Sequence, residues 1–199
     1  MTWSELLAVI HESTTSPNSA HREGAFEILS LVPELISDQD PSYVKQVFIQ
    51  ALQDSEINVR VAGFEAATTY IMEINETSVG TDLIPHLLNV LPPLMQENRD
   101  EELVDSISSL IELTDALPKV IRSILTELVS FMAQLMKNEE LQNDTRQSAL
   151  ELLLTFAETL PASARKNPQF ASTIIPIALQ WMTELEDDSD WYTTDDVSI

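Results

Sequence analysis

A six-residue pattern recurs along this chain and constrains the fold more than any other feature. It begins with arginine, continues with any residue, two small residues and a large apolar residue, and ends in glutamate. The full copies occupy residues 22–27 (REGAFE), 60–65 (RVAGFE) and 146–151 (RQSALE), and a degenerate copy occupies 103–108 (LVDSIS). The starting positions are separated by 38, 43 and 43 residues. A fixed period in this range predicts a stack of similar structural units.

The units are predicted to be antiparallel helical hairpins. A period of about 40 residues is typical of HEAT arrays, in which each repeat consists of an A helix followed by a B helix. The chain contains only 3 glycines, and 44% of its 199 residues are hydrophobic, which favours helices that bury a sizeable core. We therefore expect an all-α fold, an α-solenoid of about five HEAT repeats with the last one incomplete.

Each copy of the pattern opens a B helix, so the copies divide the chain into hairpins. Prolines and apolar periodicity indicate an array over residues 1–186, with A/B hairpins at about 3–36, 41–74, 81–117 and 119–160 and a lone A helix at 168–185. The B helices are predicted at 19–36, 57–74, 101–117 and 143–160. The acidic segment 187–199 is predicted to be a poorly ordered tail. Because the last A helix lacks a partner, its apolar face, including Trp181, should be exposed or covered by a neighbouring molecule.

Positions along each B helix, counted from the first residue of the pattern, separate into a core side and an opposite side. Positions +3, +4, +7, +10 and +14 are apolar or small almost throughout, which predicts the buried side. The residues expected in the core are Ala25, Phe26, Leu29, Phe64, Ile107, Leu110, Leu150, Leu153 and Phe156. The small residues at 24–25, 62–63 and 148–149 are expected to allow close helix packing. Arg22, Arg60 and Arg146 are expected to join adjacent repeats through a carboxylate or a carbonyl.

Positions +5, +9 and +12 lie nearly opposite the core side and are predominantly acidic. Seven of these twelve positions hold Asp or Glu and none holds a basic residue. In a HEAT superhelix the B helices are expected to line the concave side, where such arrays bind their partners. The predicted partner-binding residues are Glu27, Glu34, Glu65, Glu112, Asp115, Glu151 and Glu158. The alternative is that this face is merely solvated and that the net charge of −23 keeps the chain soluble.

The charge and the missing motifs exclude several classes of function. A net charge of −23 repels phosphate backbones and anionic lipids, so we expect basic protein partners and neither direct nucleic-acid nor membrane binding. The chain has no cysteine, and His11, His21 and His86 lack metal-ligand spacing. No phosphate loop and no nucleophile motif is present. We therefore expect no metal, no cofactor and no enzymatic activity.

Four segments resemble the karyopherin-β (importin-β) family, specifically its importin β-3 branch. They are residues 111–122 (IELTDALPKVIR), 145–152 (TRQSALEL), 174–176 (IIP) and 182–191 (MTELEDDSDW). The resemblance implies a nuclear import receptor that shuttles between cytoplasm and nucleus, of which this chain would be an internal segment. It also implies that residues 187–199, instead of a tail, would be the start of an acidic insertion. It also implies that basic cargo such as ribosomal proteins and histones binds the concave face. In the full receptor, Ran-GTP and Phe-Gly nucleoporins would be further partners. The competing interpretation is a structural HEAT scaffold, such as a phosphatase regulatory subunit, whose partners need not be basic.

Overall fold

The computed structural model describes residues 3–184, which form helices joined by short turns and contain no strand. The helices are α1 (Trp3–Thr14), α2 (Ser19–Leu31), α3 (Glu34–Ser37), α4 (Pro41–Leu52), α5 (Ile57–Ile74), α6 (Thr77–Leu88), α7 (Leu91–Gln96), α8 (Asp100–Ala116), α9 (Pro118–Ile121), α10 (Leu125–Lys137), α11 (Asn143–Thr159), α12 (Pro161–Lys166) and α13 (Pro168–Glu184). A 3₁₀ turn, Arg122–Ile124, joins α9 to α10. The predicted all-α class is confirmed. The predicted tail, 187–199, lies outside the described residues.

The helices pack in two layers. The B helices α2, α5, α8 and α11 stack directly on one another in chain order. The A layer contains α1, α4, α6, α7, α9, α10 and α13, and each hairpin pairs an A helix with the B helix that follows it. The B helices pack on one another more extensively than the A helices do. This arrangement confirms the predicted solenoid of antiparallel helical hairpins.

The core lies between the two layers and is continuous from one repeat to the next. Phe48 of α4 packs against Phe26 of α2 and Tyr70 of α5, with ring centroids 6.3 and 5.4 Å apart, respectively. Eight of the nine residues predicted in the core are buried. The exception is Leu150, which is only partly buried and packs against the edge of the core. It lies on α11, the last B helix of the described part, so no following B helix covers its outer side.

Several helix limits differ from the prediction, and a proline accounts for the clearest difference. The first B helix was expected to reach residue 36, but α2 ends at Leu31 and α3 begins at Glu34. Pro33 explains the break, since its ring clashes with the preceding turn and it has no N–H to donate. The third A helix begins at Thr77 and is divided into α6 and α7 ahead of Pro92 and Pro93. Helix α12 was not predicted.

Close helix packing explains Gly63 but not Gly24. An added Cβ at Gly63 would lie 2.7 Å from Cβ of Ala51, so α5 approaches α4 as closely as a glycine allows. An added Cβ at Gly24 would meet nothing within 4 Å. The packing explanation is therefore confirmed at Gly63 and wrong at Gly24.

Candidate protein-binding surface

All seven carboxylates predicted to bind a partner are exposed. The ion pairs within residues 3–184 use other acids, namely Asp54, Asp82 and Glu102. No described side chain forms a salt bridge or a side-chain hydrogen bond with any of the seven. Their charges are therefore not neutralised by the part of the chain that the structure describes.

Six of the seven lie on the B helices, and one does not. Glu27 lies on α2, Glu65 on α5, Glu112 and Asp115 on α8, and Glu151 and Glu158 on α11. Glu34 was projected onto the first B helix, but it begins α3 after the turn at Pro33. The regular 100° rotation per residue does not continue through that turn, so its assignment to the B-helix stripe was wrong.

A groove of about 250 Å³ lies between α5 and α8, on the side of these helices that carries the predicted carboxylates. Its lining residues are Val61, Phe64, Glu65, Asp105, Ser106, Ser108, Ser109 and Glu112. The groove brings together Glu65 and Glu112, which were predicted, and Asp105, which was not. Asp105 occupies position +2, only about 20° from position +9 around the helix, but the other copies hold Gly, Ala and Ser there. We call Asp105 and the six B-helix carboxylates the acidic B-face.

The arginines of the repeated pattern hold the B helices in place. Arg22 donates to both carboxylate oxygens of Asp54, at 2.7 and 2.8 Å, and so joins the first repeat to the second. The Arg22 guanidinium holds the pKa of Asp54 below its usual value. Arg60 donates instead to the carbonyl of Asp54 in its own repeat, at 2.7 Å. Arg146 donates to the carbonyl of Met136, also in its own repeat. The predicted link between repeats through a carboxylate or carbonyl is therefore confirmed only for Arg22.

Other residues continue the connection between repeats. In the degenerate copy, Leu103 replaces the arginine and is buried. Arg99, one helical turn earlier, donates to Asn58 Oδ1 of the preceding repeat at 2.7 Å. The backbone N–H of Gln142 donates to Asp100 Oδ2 at 3.0 Å, joining the fourth repeat to the third. Successive B helices are thus connected by polar bonds near their N-terminal ends.

The opposite layer contains an apolar groove of about 280 Å³ between α1 and α4. Its walls include Leu7, Ile10, Ile36 and Val47, and nearly all of its surface is apolar. The hydroxyl of Tyr43, also in its lining, lies 2.7 Å from Nδ1 of His11. The A layer therefore offers a site for an apolar side chain, separate from the acidic B-face.

The last described helix, α13, carries an exposed apolar row. Ile175, Leu179 and Met182 are 54, 57 and 67% exposed, respectively. Trp181 was predicted to belong to this exposed face, but it is partly buried and packs under the guanidinium of Arg146, whose Cζ lies 5.0 Å from the ring centroid. This contact gives Arg146 a partner in the following repeat.

Neither a metal-binding cluster nor a membrane-spanning helix occurs among the described residues. No three His, Asp or Glu side chains among them lie close enough to hold a metal ion. None of the helices from α1 to α13 is long and apolar enough to cross a membrane.

Two protein families and two known proteins are similar to this chain in sequence. The family described as IPO5-like, TPR repeats, matches residues 1–131, and the family described as Importin repeat matches residues 138–198. Importin subunit beta-3 of Saccharomyces cerevisiae is 34% identical over 200 residues, covering 98% of this chain and 18% of that protein. A probable importin-5 homolog of Dictyostelium discoideum is 25% identical, covering 97% of this chain and 19% of that protein.

Solved structures of Kap121p share the fold. Kap121p bound to Ste12p superposes with a TM-score of 0.84, and Kap121p bound to Nup53p with a TM-score of 0.83. Each is 32% identical, and the match covers all of this chain and 20% of Kap121p. This chain thus spans about a fifth of the length of these relatives. Since the first family match covers 131 of the 199 residues, the resemblance is confirmed, and the chain belongs to the IPO5-like branch of the importin (karyopherin-β) family.

Proposed function

We propose that this chain is a protein-binding segment of a nuclear import receptor and that it recognises basic cargo through the acidic B-face. One observation carries this proposal: seven exposed carboxylates follow one another along four stacked B helices, and no described side chain neutralises them. The relatives of the chain are importins. Basic cargo, such as ribosomal proteins and histones, has the complementary charge.

The layer packing supports a concave position for this face. In a curved two-layer array the helices of the inner layer are closer together than those of the outer layer. Here the B helices pack on one another more extensively than the A helices do. A concave B layer would direct the carboxylates of successive repeats towards one extended ligand.

Affinity at such a face must come from several charges acting together. One exposed ion pair contributes only about 0–1 kcal/mol and is screened by salt over about 8 Å at physiological ionic strength. A ligand that contacts one carboxylate would therefore bind too weakly to be held. A cargo segment with several Lys or Arg residues would bind measurably, and its affinity would fall steeply as salt is added.

The test is a titration of a fluorescein-labelled histone-tail peptide, followed by fluorescence anisotropy at several salt concentrations. The first variant combines Glu112→Lys, Asp115→Lys, Glu151→Lys and Glu158→Lys. The control combines four exposed acids outside the acidic B-face: Glu97→Lys, Glu127→Lys, Glu139→Lys and Glu140→Lys. Both variants change the net charge by the same amount.

Reversal on the acidic B-face should weaken binding at least tenfold, and the control reversal no more than about threefold. Helicity, measured by circular dichroism, should be unchanged in both because all eight side chains are exposed. If binding is insensitive to salt and both variants behave alike, the chain is better explained as a structural scaffold. In the full-length receptor, we expect added Ran-GTP to release the peptide.

A second partner is favoured by the apolar groove between α1 and α4. An exposed apolar groove fits the phenylalanine of a Phe-Gly nucleoporin segment, and such binding would serve a receptor that shuttles through the nuclear pore. A Phe-Gly peptide should shift the NMR signals of α1 and α4. Val47→Trp, which fills the groove, should remove those shifts and leave histone-tail binding intact. Shifts confined to other helices would contradict this assignment.

A further inference from the structure

We propose that the groove between α5 and α8 is a pocket for one lysine side chain of the cargo. This inference rests on the proposed function, because it concerns one place within the acidic B-face. It goes further by naming the side chain that is bound and the residues that enclose it. The pocket combines a charged rim, an apolar floor and a buried polar atom.

The rim is acidic on both sides. Glu65 contributes from α5, and Asp105 and Glu112 contribute from α8. All three are exposed, and no described residue pairs with their carboxylates. They are not close enough together to form a metal site by themselves, since no metal-binding cluster occurs among residues 3–184. The cation proposed here is therefore a charged side chain that also contacts the walls of the groove.

The floor is apolar. Phe64 is 1% exposed and Val61 is partly buried, and both line the groove. A lysine side chain has four methylene groups before its ammonium group, and such chains bury the methylenes while the charge stays at the surface. The groove volume of about 250 Å³ accommodates one such side chain but not a helix. The floor would then contact the methylenes, and the rim would contact the ammonium group.

A buried hydroxyl without a partner is the second, independent feature of the pocket. Ser106 is 3% exposed and lines the groove, and its Oγ has no hydrogen-bond partner among the described residues. Nearby hydroxyls on the same helix behave differently: Ser109 donates to the carbonyl of Asp105, and Thr114 donates to that of Leu110. A buried polar atom without a partner is costly, so natural proteins nearly always satisfy it. A lysine whose methylenes lie against Phe64 and Val61 would direct one ammonium N–H to Ser106 Oγ and the others to the rim carboxylates, and so would supply the missing donor.

The arrangement of these acceptors favours lysine over arginine. An ammonium group is compact and directs three N–H bonds in different directions, whereas a guanidinium is planar and best fits a single carboxylate in a bidentate pair. Here the carboxylates belong to two helices, Glu65 to α5 and Asp105 and Glu112 to α8, and Ser106 of α8 also lines the groove. Acetylation of the lysine would remove its charge and so remove binding.

The experiment uses the 199-residue chain and a fluorescein-labelled Gly/Ser peptide that carries four lysines. The groove variant combines Glu65→Gln, Asp105→Asn and Glu112→Gln. The matched control combines Glu27→Gln, Glu151→Gln and Glu158→Gln, which removes the same charge from the same face. The groove variant should weaken binding at least tenfold, and the control no more than about threefold. In the NMR spectrum of the wild type, the amides of Phe64 and Ser106 should shift on binding.

Three further measurements test the details of the pocket. Ser106→Ala, which keeps the helix intact, should weaken the lysine peptide about two- to fivefold. The same peptide with arginine in place of lysine should bind at least threefold more weakly, and the acetylated peptide should not bind measurably. If the triple variant fails to fold, the single variant Asp105→Asn replaces it and should still weaken binding more than Glu158→Gln does.

The outcomes separate this inference from the proposed function. If the lysine peptide binds but both triple variants weaken it equally, the groove assignment is overturned and the acidic B-face proposal stands. If the arginine peptide binds as tightly as the lysine peptide, the ammonium pocket is overturned. If no basic peptide binds the wild-type chain at any salt concentration, both proposals fail together.

Discussion

Replacing Gly63 with alanine should destabilise the fold, although alanine is normally the better helix former. The added Cβ would lie 2.7 Å from Cβ of Ala51 and 3.5 Å from its carbonyl carbon. Carbon atoms in favourable contact are about 3.5–4.0 Å apart. Both methyl groups are attached directly to helix backbones, so neither can rotate away. Relief therefore requires α4 and α5 to separate by about 1 Å.

The magnitude follows from two opposing effects. Alanine gains about 1 kcal/mol over glycine inside a helix. Overpacking of a close-packed interface costs about 1–3 kcal/mol, and a clash between two backbone-attached atoms belongs at the upper end of that range. The expected result is a decrease of about 1–2 kcal/mol in the free energy of unfolding.

Gly24→Ala provides the matched control. Gly24 also lies inside a B helix, but an added Cβ would meet nothing within 4 Å. Only the helix-forming effect remains, so this variant should be stabilised by about 0.5–1 kcal/mol.

Urea denaturation followed by circular dichroism at 222 nm measures both variants. The two midpoints should move in opposite directions from that of the wild type. If Gly63→Ala is as stable as Gly24→Ala, the close approach of α4 to α5 is refuted, and with it the packing explanation of the small residue at this position.

Three further predictions concern stability. Phe156→Ala should lower the free energy of unfolding, measured by urea titration, by about 3–5 kcal/mol because Phe156 is fully buried. Leu154→Ala on the same helix should lower it by less than about 1 kcal/mol because Leu154 is 48% exposed. Arg22 lowers the pKa of Asp54, so this carboxylate contributes stability above its unfolded pKa and loses it as the pH falls through the folded pKa. Acid titrations should therefore show a shallower loss of stability below about pH 4 for Asp54→Asn than for the wild type. Burial raises the pKa of Tyr70, so the neutral phenol contributes stability below about pH 10, and this stability is lost at higher pH. Tyr70→Phe should remove this alkaline loss of stability. The same variant should not destabilise the fold at pH 7, because the Tyr70 hydroxyl has no partner among the described residues.

The repeated pattern was sufficient to predict the solenoid and the buried side of its B helices. The small and apolar residues stand at the same distance from the start of every copy, and the resulting helix periodicity correctly assigns Phe26, Phe64 and Phe156 to the interior. The same periodicity placed six exposed carboxylates on the opposite side. These features depend on the geometry of a single helix, which a sequence determines well.

Features that depend on how helices meet could not be predicted in the same way. Glu34 was assigned to the wrong helix because the rotation of 100° per residue was continued through Pro33, although α3 begins only after that residue. Asp105 was missed because its importance arises only from the packing of α5 on α8, which forms the groove. In the copy where Leu103 stands in place of the pattern arginine, Arg99 makes the bond to the preceding repeat, through Asn58. Arg99 lies one helical turn before the pattern, so a fixed alignment of the copies does not detect it.

The polar bonds between repeats determine how this solenoid can deform. Arg22 to Asp54, Arg99 to Asn58, and the Gln142 N–H to Asp100 all lie near the N-terminal ends of the B helices, along one edge of the array. The A layer has its own bonds between repeats, such as Lys45 Nζ to Asp82 Oδ2 at 2.6 Å, so only the B layer is fastened at one end of its helices. Within that layer, bending about the fastened ends is easiest. Bending would leave the spacing of the N-terminal ends nearly constant and would change the spacing of the C-terminal ends. Carboxylates early in the B helices would therefore act as a fixed ruler for basic residues, while those near the C-terminal ends would adjust to cargo of different widths.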